Sequence, residues 1–307
     1  MTLPYILGKE FRCINKITRE LPTLGVGDDC AVIRLGGKHL LVSVDAFVEN
    51  VHFDLSYFTL AEIGKRCTEA ALSDIAAMGG KPLYILLSWS APKVDLIEKI
   101  AQGVKKSLIR HKVKLIGGDM TRSKDITMSL TVIGETKKPV YRSGAKNGDY
   151  VYVTSYTGLS EAGRQLLKNK THGFERLKRA HKDPEAKIKI GQKLSKVATS
   201  MIDISDGLVS ELYHLAHSSN VSIELDHIPI HKDLKLCSEK TKTTAEGFSL
   251  YGGEDYELLY TVQRKNIKHA IGFKIGRVIK SKKRNKKVYL NKKGKKILIK
   301  PTGFKHF

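Results

Sequence analysis

The segment from Leu40 to Ser88 constrains the fold most, because two strand-like runs flank one long helical pattern. Leu40 to Phe47 is rich in apolar and β-branched residues and reads as a strand. Thr59 to Met78 places Ile63, Cys67, Ala70, Ala71 and Ile75 near helical spacing, and Gly79-Gly80 stops that helix ahead of Pro82. Leu83 to Ser88 then reads as a second strand. The rhythm continues with a helix over Val94 to Arg110, strands over Val113 to Ile116 and Ile126 to Glu135, and an earlier helix near Lys9 to Arg19. Mixed α/β packing is the economical consequence.

A polar stretch with two glycines, Tyr141 to Gly148, marks the expected boundary between domains at 1–140 and 141–307. Beyond it, strands are expected at Tyr150 to Thr154, Ser200 to Ile202, Tyr256 to Val262 and Lys274 to Ile279, with short pieces near Val288 and Ile297. Helices are expected at Glu161 to Lys168, Pro184 to Val197 and Asp206 to Ser218. With 307 residues and 41% hydrophobic content, the chain is long enough to give each of two domains its own core.

Cys13, Cys30, Cys67 and Cys237 are scattered without a C-x-x-C pair, which argues against a disulfide framework or zinc ribbon and for reduced thiols in the cytoplasm. The start MTLPYILGKEF has no secretory pattern, and the apolar run from Leu83 to Trp89 is far short of a membrane span. The net charge of +23 raises the question of nucleic acid. Most of the excess follows Glu257, the last acidic side chain, in runs such as Lys282-Lys283-Arg284 with little aromatic interleaving. A solvated basic face, or a lineage-wide enrichment in lysine, accounts for it, and specific nucleic-acid binding is not expected.

In so basic a chain the informative side chains are Asp28, Asp29, Asp45, Asp74, Asp119, Asp203 and Asp206, which lie beside glycines or at strand ends. Mg²⁺ takes oxygen ligands and typically sits between carboxylates and substrate phosphates, so aspartates converging on one cleft suit Mg-nucleotide chemistry. Each alone also reads as a helix cap or turn residue. Gly117-Gly118-Asp119 is expected as a turn after a strand, where missing side chains let backbone N–H groups approach phosphate. Asp203-Ile204-Ser205-Asp206-Gly207 is expected to open a helix, with Ser205 or Asp206 as an alternative simple cap. P-loop, protein-kinase and dinucleotide fingerprints are absent from the sequence. The residues by themselves lead to a two-domain, Mg-dependent, phosphate-handling enzyme.

Read in order, Gly25-Val26-Gly27-Asp28-Asp29, Val42-Ser43-Val44-Asp45, Val51-His52-Phe53, Leu72-Ser73-Asp74-Ile75-Ala76-Ala77-Met78-Gly79 and Gly117-Gly118-Asp119-Met120-Thr121-Arg122 resemble the N-terminal half of thiamine-monophosphate kinases. The resemblance continues through Tyr141-Arg142-Ser143-Gly144-Ala145, Asp203 to Leu208, Gly252-Gly253-Glu254-Asp255-Tyr256-Glu257-Leu258 and Gly303-Phe304-Lys305-His306-Phe307. It implies the α/β (α+β), two-domain PurM-like fold of the aminoimidazole ribonucleotide synthetase superfamily and a homodimer that pairs its N-terminal sheets. It also implies ATP and thiamine monophosphate as substrates, several Mg²⁺ ions and the product thiamine diphosphate. By the same resemblance the magnesium ligands are Asp29, Asp45, Asp74, Asp119, Asp203 and Asp206, assisted by Ser43 and the backbone of Val44. Gly118, Asp119, Arg142 and Ser205 fall at ATP-contacting positions, and His52, Glu254 and Phe304 at positions that meet thiamine phosphate; no general base is assigned. Asp255 and Tyr256 read as structural. The chain departs from the family pattern at Gly158-Leu159-Ser160, which lacks an acidic residue, at Pro184-Glu185-Ala186-Lys187 and at Lys300-Pro301-Thr302.

Overall fold

The computed structural model describes residues 9–281 and 286–301. After α1 (Lys9–Glu20) come β1 (Ala31–Leu35), which the sequence reading did not anticipate, and β2 (Lys38–Val48). Helix α2 (Leu60–Ala77) opens on a capping box: the Thr59 side chain accepts from Glu62 N–H, and Thr59 N–H donates to the Glu62 carboxylate. Its end is set by Gly79 at φ 67°. There follow β3 (Lys81–Ala91), α3 (Val94–His111), β4 (Lys114–Arg122) and β5 (Thr127–Thr136). These strands form a five-stranded sheet in the order β1-β2-β5-β3-β4, antiparallel except for the parallel β3–β4 pair.

Apolar residues of α2, β2, β3 and β5, among them Ile63, Leu72, Ile75, Leu41, Ile85 and Leu130, are fully buried together. Helices α2 and α3 meet through glycines: a Cβ on Gly103 would lie 1.8 Å from the Ala61 carbonyl oxygen, and one on Gly64 2.0 Å from that of Ile100. Gly103→Ala is therefore expected to force the helices apart at a cost on the order of 1–3 kcal/mol, read as a lower denaturation midpoint in urea. An unchanged midpoint would show that the pair has slack.

The expected turn at Gly117-Gly118-Asp119 is instead strand: β4 runs through it, with Gly118 opposite Leu87 and Asp119 opposite Ser88. Glycine disfavours strands in general, but here a Cβ on Gly118 would stand 2.0 Å from the Leu87 carbonyl oxygen, so the close backbone approach decides the conformation.

The second sheet is seven-stranded, in the order β12-β11-β8-β10-β6-β9-β7. Its strands are β6 (Tyr150–Val153), β7 (Ala198–Asp203), β8 (Ser222–Leu225), β9 (Leu258–Val262), β10 (Phe273–Ile279), β11 (Val288–Lys292) and β12 (Lys295–Ile299). Between them run α4 (Leu159–Lys168), α5 (Glu175–Lys182), α6 (Ile188–Leu194), α7 (Leu208–Ser218), α8 (Lys232–Ser238) and α9 (Ala245–Tyr251), with a 3₁₀ turn at Arg264–His269. The helix expected from Pro184 to Val197 forms only over Ile188–Leu194. Residues 184–187 are non-helical, and Ala186 N–H donates at 2.9 Å to buried Glu69, which His111 also holds at 2.8 Å. A tertiary acceptor thus outcompetes the local helical pattern there.

Helix α2 is a wall shared by both sheets: its Ile63, Leu72 and Ile75 lie in one buried cluster with Leu41 and Leu130 of the first sheet and Met201 and Tyr260 of the second, and α6 lies so close that a Cβ on Gly191 would be 2.1 Å from the Ala76 carbonyl oxygen. Among the described residues no helix is long and apolar enough to cross a membrane.

Candidate active site

Three carboxylates from separate elements converge. Asp29 comes from the loop before β1, Asp74 from the last turn of α2 and Asp203 from the end of β7, and each offers an oxygen within 4.8 Å of the others. Asp45, on β2, adds its charge to the group by acting on Asp74 and Asp203. Asp29 is buried; its Oδ1 accepts from Arg142 Nη2 at 2.6 Å and Nε at 3.2 Å, while its Oδ2 has no hydrogen-bond partner among the described residues.

Burial is the main reason these acids hold protons more tightly than usual, and mutual repulsion adds to it. Asp45 is pushed up to about 6, Asp203 to about 7, and Asp74 well above the carboxylate range. Neighbouring Asp28 rises to about 6 through burial, although its Oδ1 accepts from Arg142 N–H at 2.6 Å. An all-oxygen group with one unpaired buried oxygen, whose members repel one another once ionised, is chemically suited to a hard divalent cation. Buried Cys30 stands beside the group, but burial and the aspartates push its thiol up, so it does not offer a thiolate.

The remaining candidates are distributed around this centre. Ser43 is buried on β2, two residues from Asp45 and so on the same face; Val44 is 65% exposed on the other face. Asp119 does not join the cluster. It is exposed on β4, and the register Asp45–Leu130–Leu87–Gly118 puts Gly118, not Asp119, on the face that carries Asp45. Asp206 also lies outside the group of three; its N–H donates to Glu211 Oε1 at 2.9 Å. Neither it nor Ser205 caps α7, whose N-cap is Gly207 at φ 116° with no side-chain cap bond.

His52 closes the turn after β2, where its Nδ1 accepts from Val48 N–H at 3.0 Å. Glu254 sits in the left-handed region at φ 63°, with its N–H donating to Ser205 O at 2.6 Å and its carboxylate 2.7 Å from Arg66 Nη2. Phe304 and the rest of the closing motif lie outside the described residues. Asp255 accepts from Gly158 N–H and, at 3.0 Å, from Ser160 N–H, holding the start of α4 where the family's acidic residue is replaced by Leu159.

Arg66 and Glu211 were missed in the sequence reading. Arg66 lies one helical turn after Ile63 on the buried side of α2, so a charge on an apolar face was the available signal. Glu211 had none beyond its place in the first turn of α7.

Residues 27–136 match the family of AIR synthase related proteins, N-terminal domain. The thiamine-monophosphate kinase of Aquifex aeolicus is 35% identical over 308 residues, covering 97% of this chain and 98% of that one. That of Bacillus subtilis is 34% identical over 328 residues, with 97% and 99% covered. Among solved structures, AaThiL complexed with AMPPCP and TMP superposes with a TM-score of 0.88 at 34% identity and 97% coverage of both chains. The two-sheet fold and its acidic centre therefore define an AIR-synthase-related α/β enzyme. Within that class, the chain belongs to the thiamine-monophosphate kinase family.

Proposed function

We propose that this protein transfers the terminal phosphoryl group of ATP to thiamine monophosphate and releases thiamine diphosphate. The observation that carries the reading is the convergence of Asp29, Asp74 and Asp203, in a chain matched end to end by kinases of this substrate. In our assignment Asp29, Asp45, Asp74 and Asp203 would hold magnesium with help from Ser43 and the Val44 backbone, Asp206 would join from the loop after β7, and Asp119, on the opposite sheet face, would serve a site completed by the second copy of the proposed dimer; Mg²⁺ bound there would supply the positive charge that lets two polyanions approach.

The chain's own residues then position and orient. The attacking phosphate oxygen of thiamine monophosphate is already anionic near neutral pH, so no side chain is needed as a base, and alignment carries the rate. Arg142 anchors Asp29 and keeps a fixed cation beside the phosphates. Gly118, Asp119 and Ser205 meet ATP; His52, Glu254 and Phe304 meet thiamine monophosphate.

The division into domains at 1–140 and 141–307, the homodimer and the cytoplasmic location belong to the same proposal. Supporting the dimer, the sheet face away from α2 and α3 exposes Val44 and Tyr84, and the edge strand β4 beside it exposes Leu115, Ile116 and Met120 along its rim. Such an apolar face next to an unpaired strand edge is what a second copy would cover, and Asp119 lies there too.

Purified protein incubated with ATP, Mg²⁺ and thiamine monophosphate is expected to form thiamine diphosphate, and to stop on chelation of Mg²⁺. Free thiamine as the parallel acceptor is expected to give none. Absence of product with Mg·ATP binding intact would move the search to another acceptor.

A further inference from the structure

We propose that Arg66 is a positioning residue for acceptor recognition, acting by clamping Glu254. The proposal rests on the assignment of Glu254 as a contact of thiamine monophosphate. Arg66 is only 2% exposed, an uncommon place for a guanidinium in the middle of an α2 face otherwise lined by Ile63, Cys67 and Ala70. Its Nη1 donates to the carbonyl oxygen of His181, at the end of α5. Its Nη2 lies 2.7 Å from Glu254 Oε1, and its guanidinium carbon lies 5.7 Å from the centre of the Phe58 ring. These partners come from separate parts of the chain, so the guanidinium plane is fixed from several sides before any substrate arrives.

Glu254 is the member of this group that reaches solvent: its side chain is 28% exposed, against 3% for that of Arg66 and 2% for that of His181. Its second oxygen lies 3.7 Å from His181 Nδ1, and that nitrogen is 3.2 Å from the Ser160 hydroxyl. The backbone is constrained as well. Glu254 has a left-handed φ of 63°, which a glutamate adopts only when its surroundings demand it, and its N–H is tied to Ser205 O. A carboxylate in this setting presents its remaining lone pairs in one direction, and a ligand that binds them pays little to order the side chain.

The rigid element behind the clamp is α2, which also carries Asp74. The two residues are separated by about 12 Å along the helix, at 1.5 Å per residue. One helix thus sets the spacing between the acidic centre, where the phosphates are expected, and the carboxylate that meets the acceptor. Specificity for the acceptor is then a property of α2 geometry and of the forked reach of arginine, which places one nitrogen on His181 O and another beside Glu254 at once and which a lysine reproduces only in charge.

The test compares Arg66→Met, Arg66→Lys and Glu254→Gln in the full chain, with KM measured separately for thiamine monophosphate and for ATP, and with the thermal midpoint of each variant. Arg66→Met is expected to raise the thiamine-monophosphate KM about tenfold or more while the ATP KM stays within about twofold, and Arg66→Lys to recover part of the loss. The Arg66→Met/Glu254→Gln double variant is expected to be no worse than the worse single one, because the two act as a unit. The proposal is overturned if Arg66→Met leaves the acceptor KM unchanged while Glu254→Gln raises it, or if both KM values rise together in step with lost stability. Should Arg66→Met fail to fold, Arg66→Lys decides alone: a selective rise in the acceptor KM supports the clamp, and its absence overturns it. Should Glu254→Gln leave the acceptor KM unchanged, the assignment of Glu254 fails and the clamp with it, while thiamine diphosphate formation by the unmodified chain keeps the kinase reading standing.

Discussion

Asp74→Asn is expected to reduce turnover by about a thousandfold or more while leaving the metal-free fold at least as stable as the unmodified chain at pH 8. The two directions have one cause. Asp74 sits among Asp29, Asp45 and Asp203, where burial first and repulsion by these neighbours second hold its proton far above the ordinary range. Without a cation, ionising it is unfavourable, and the neutral amide of the same shape removes that burden. With a cation, the lost carboxylate removes both charge and a ligand at the centre, and an amide oxygen is a poor substitute. A residue kept for stability behaves in the opposite way. Steady-state rates with Mg²⁺ and thermal midpoints in chelator measure both halves. Retained activity would remove Asp74 from the centre, and a large fall in the metal-free midpoint would make its role structural.

The parts of this arrangement that were legible in the sequence are those written in local patterns. The apolar spacing through Ile75 and the Gly79-Gly80 stop define α2 within a residue at each end. Of the aspartates that form the cluster, Asp29 follows the glycines of its loop and Asp203 ends a strand, where side chains of this type are visible without a structure, whereas Asp74 lies inside the last turn of α2. What was not legible depends on partners distant in the chain. Gly117-Gly118 looks like a turn until the Leu87 backbone is seen against Gly118, and the helix expected from Pro184 starts only at Ile188 because Glu69 claims the Ala186 N–H. The short strands β1 and β8 offer few residues for a period to show. Order along the sequence also says nothing of which face of β4 Asp119 occupies, or that Arg142 turns its guanidinium to Asp29. Local physics marks the candidates; packing selects which of them meet.

Magnesium is expected to stabilise the fold much more at pH 8 than at pH 5.5. The ordinary aspartate value is 3.8, and burial raises Asp45 to about 6 and Asp203 to about 7 in the folded protein. Between the unfolded and folded values the native state binds more protons than the unfolded chain, so the slope of unfolding free energy with pH is negative for these groups. Their contribution is fully present below the unfolded value, falls as pH rises through about 6 to 7, and is lost above that. The loss is on the order of a few kcal/mol for a group shifted this far. A cation binds the ionised carboxylates and not the unfolded chain, so it displaces protons at low pH and meets none at high pH. Because a chain of net charge +23 also sheds self-repulsion as pH rises, the comparison that isolates the cluster is the unmodified chain against Asp203→Asn, each with Mg²⁺ and with chelator. In chelator the midpoint of the unmodified chain should fall relative to that of Asp203→Asn between pH 5.5 and 8; with Mg²⁺ the gap should close or reverse. Parallel curves in chelator would mean that the buried carboxylates are relieved by some other positive group, and Arg142, already 2.6 Å from Asp29, would be the first to replace in a second round.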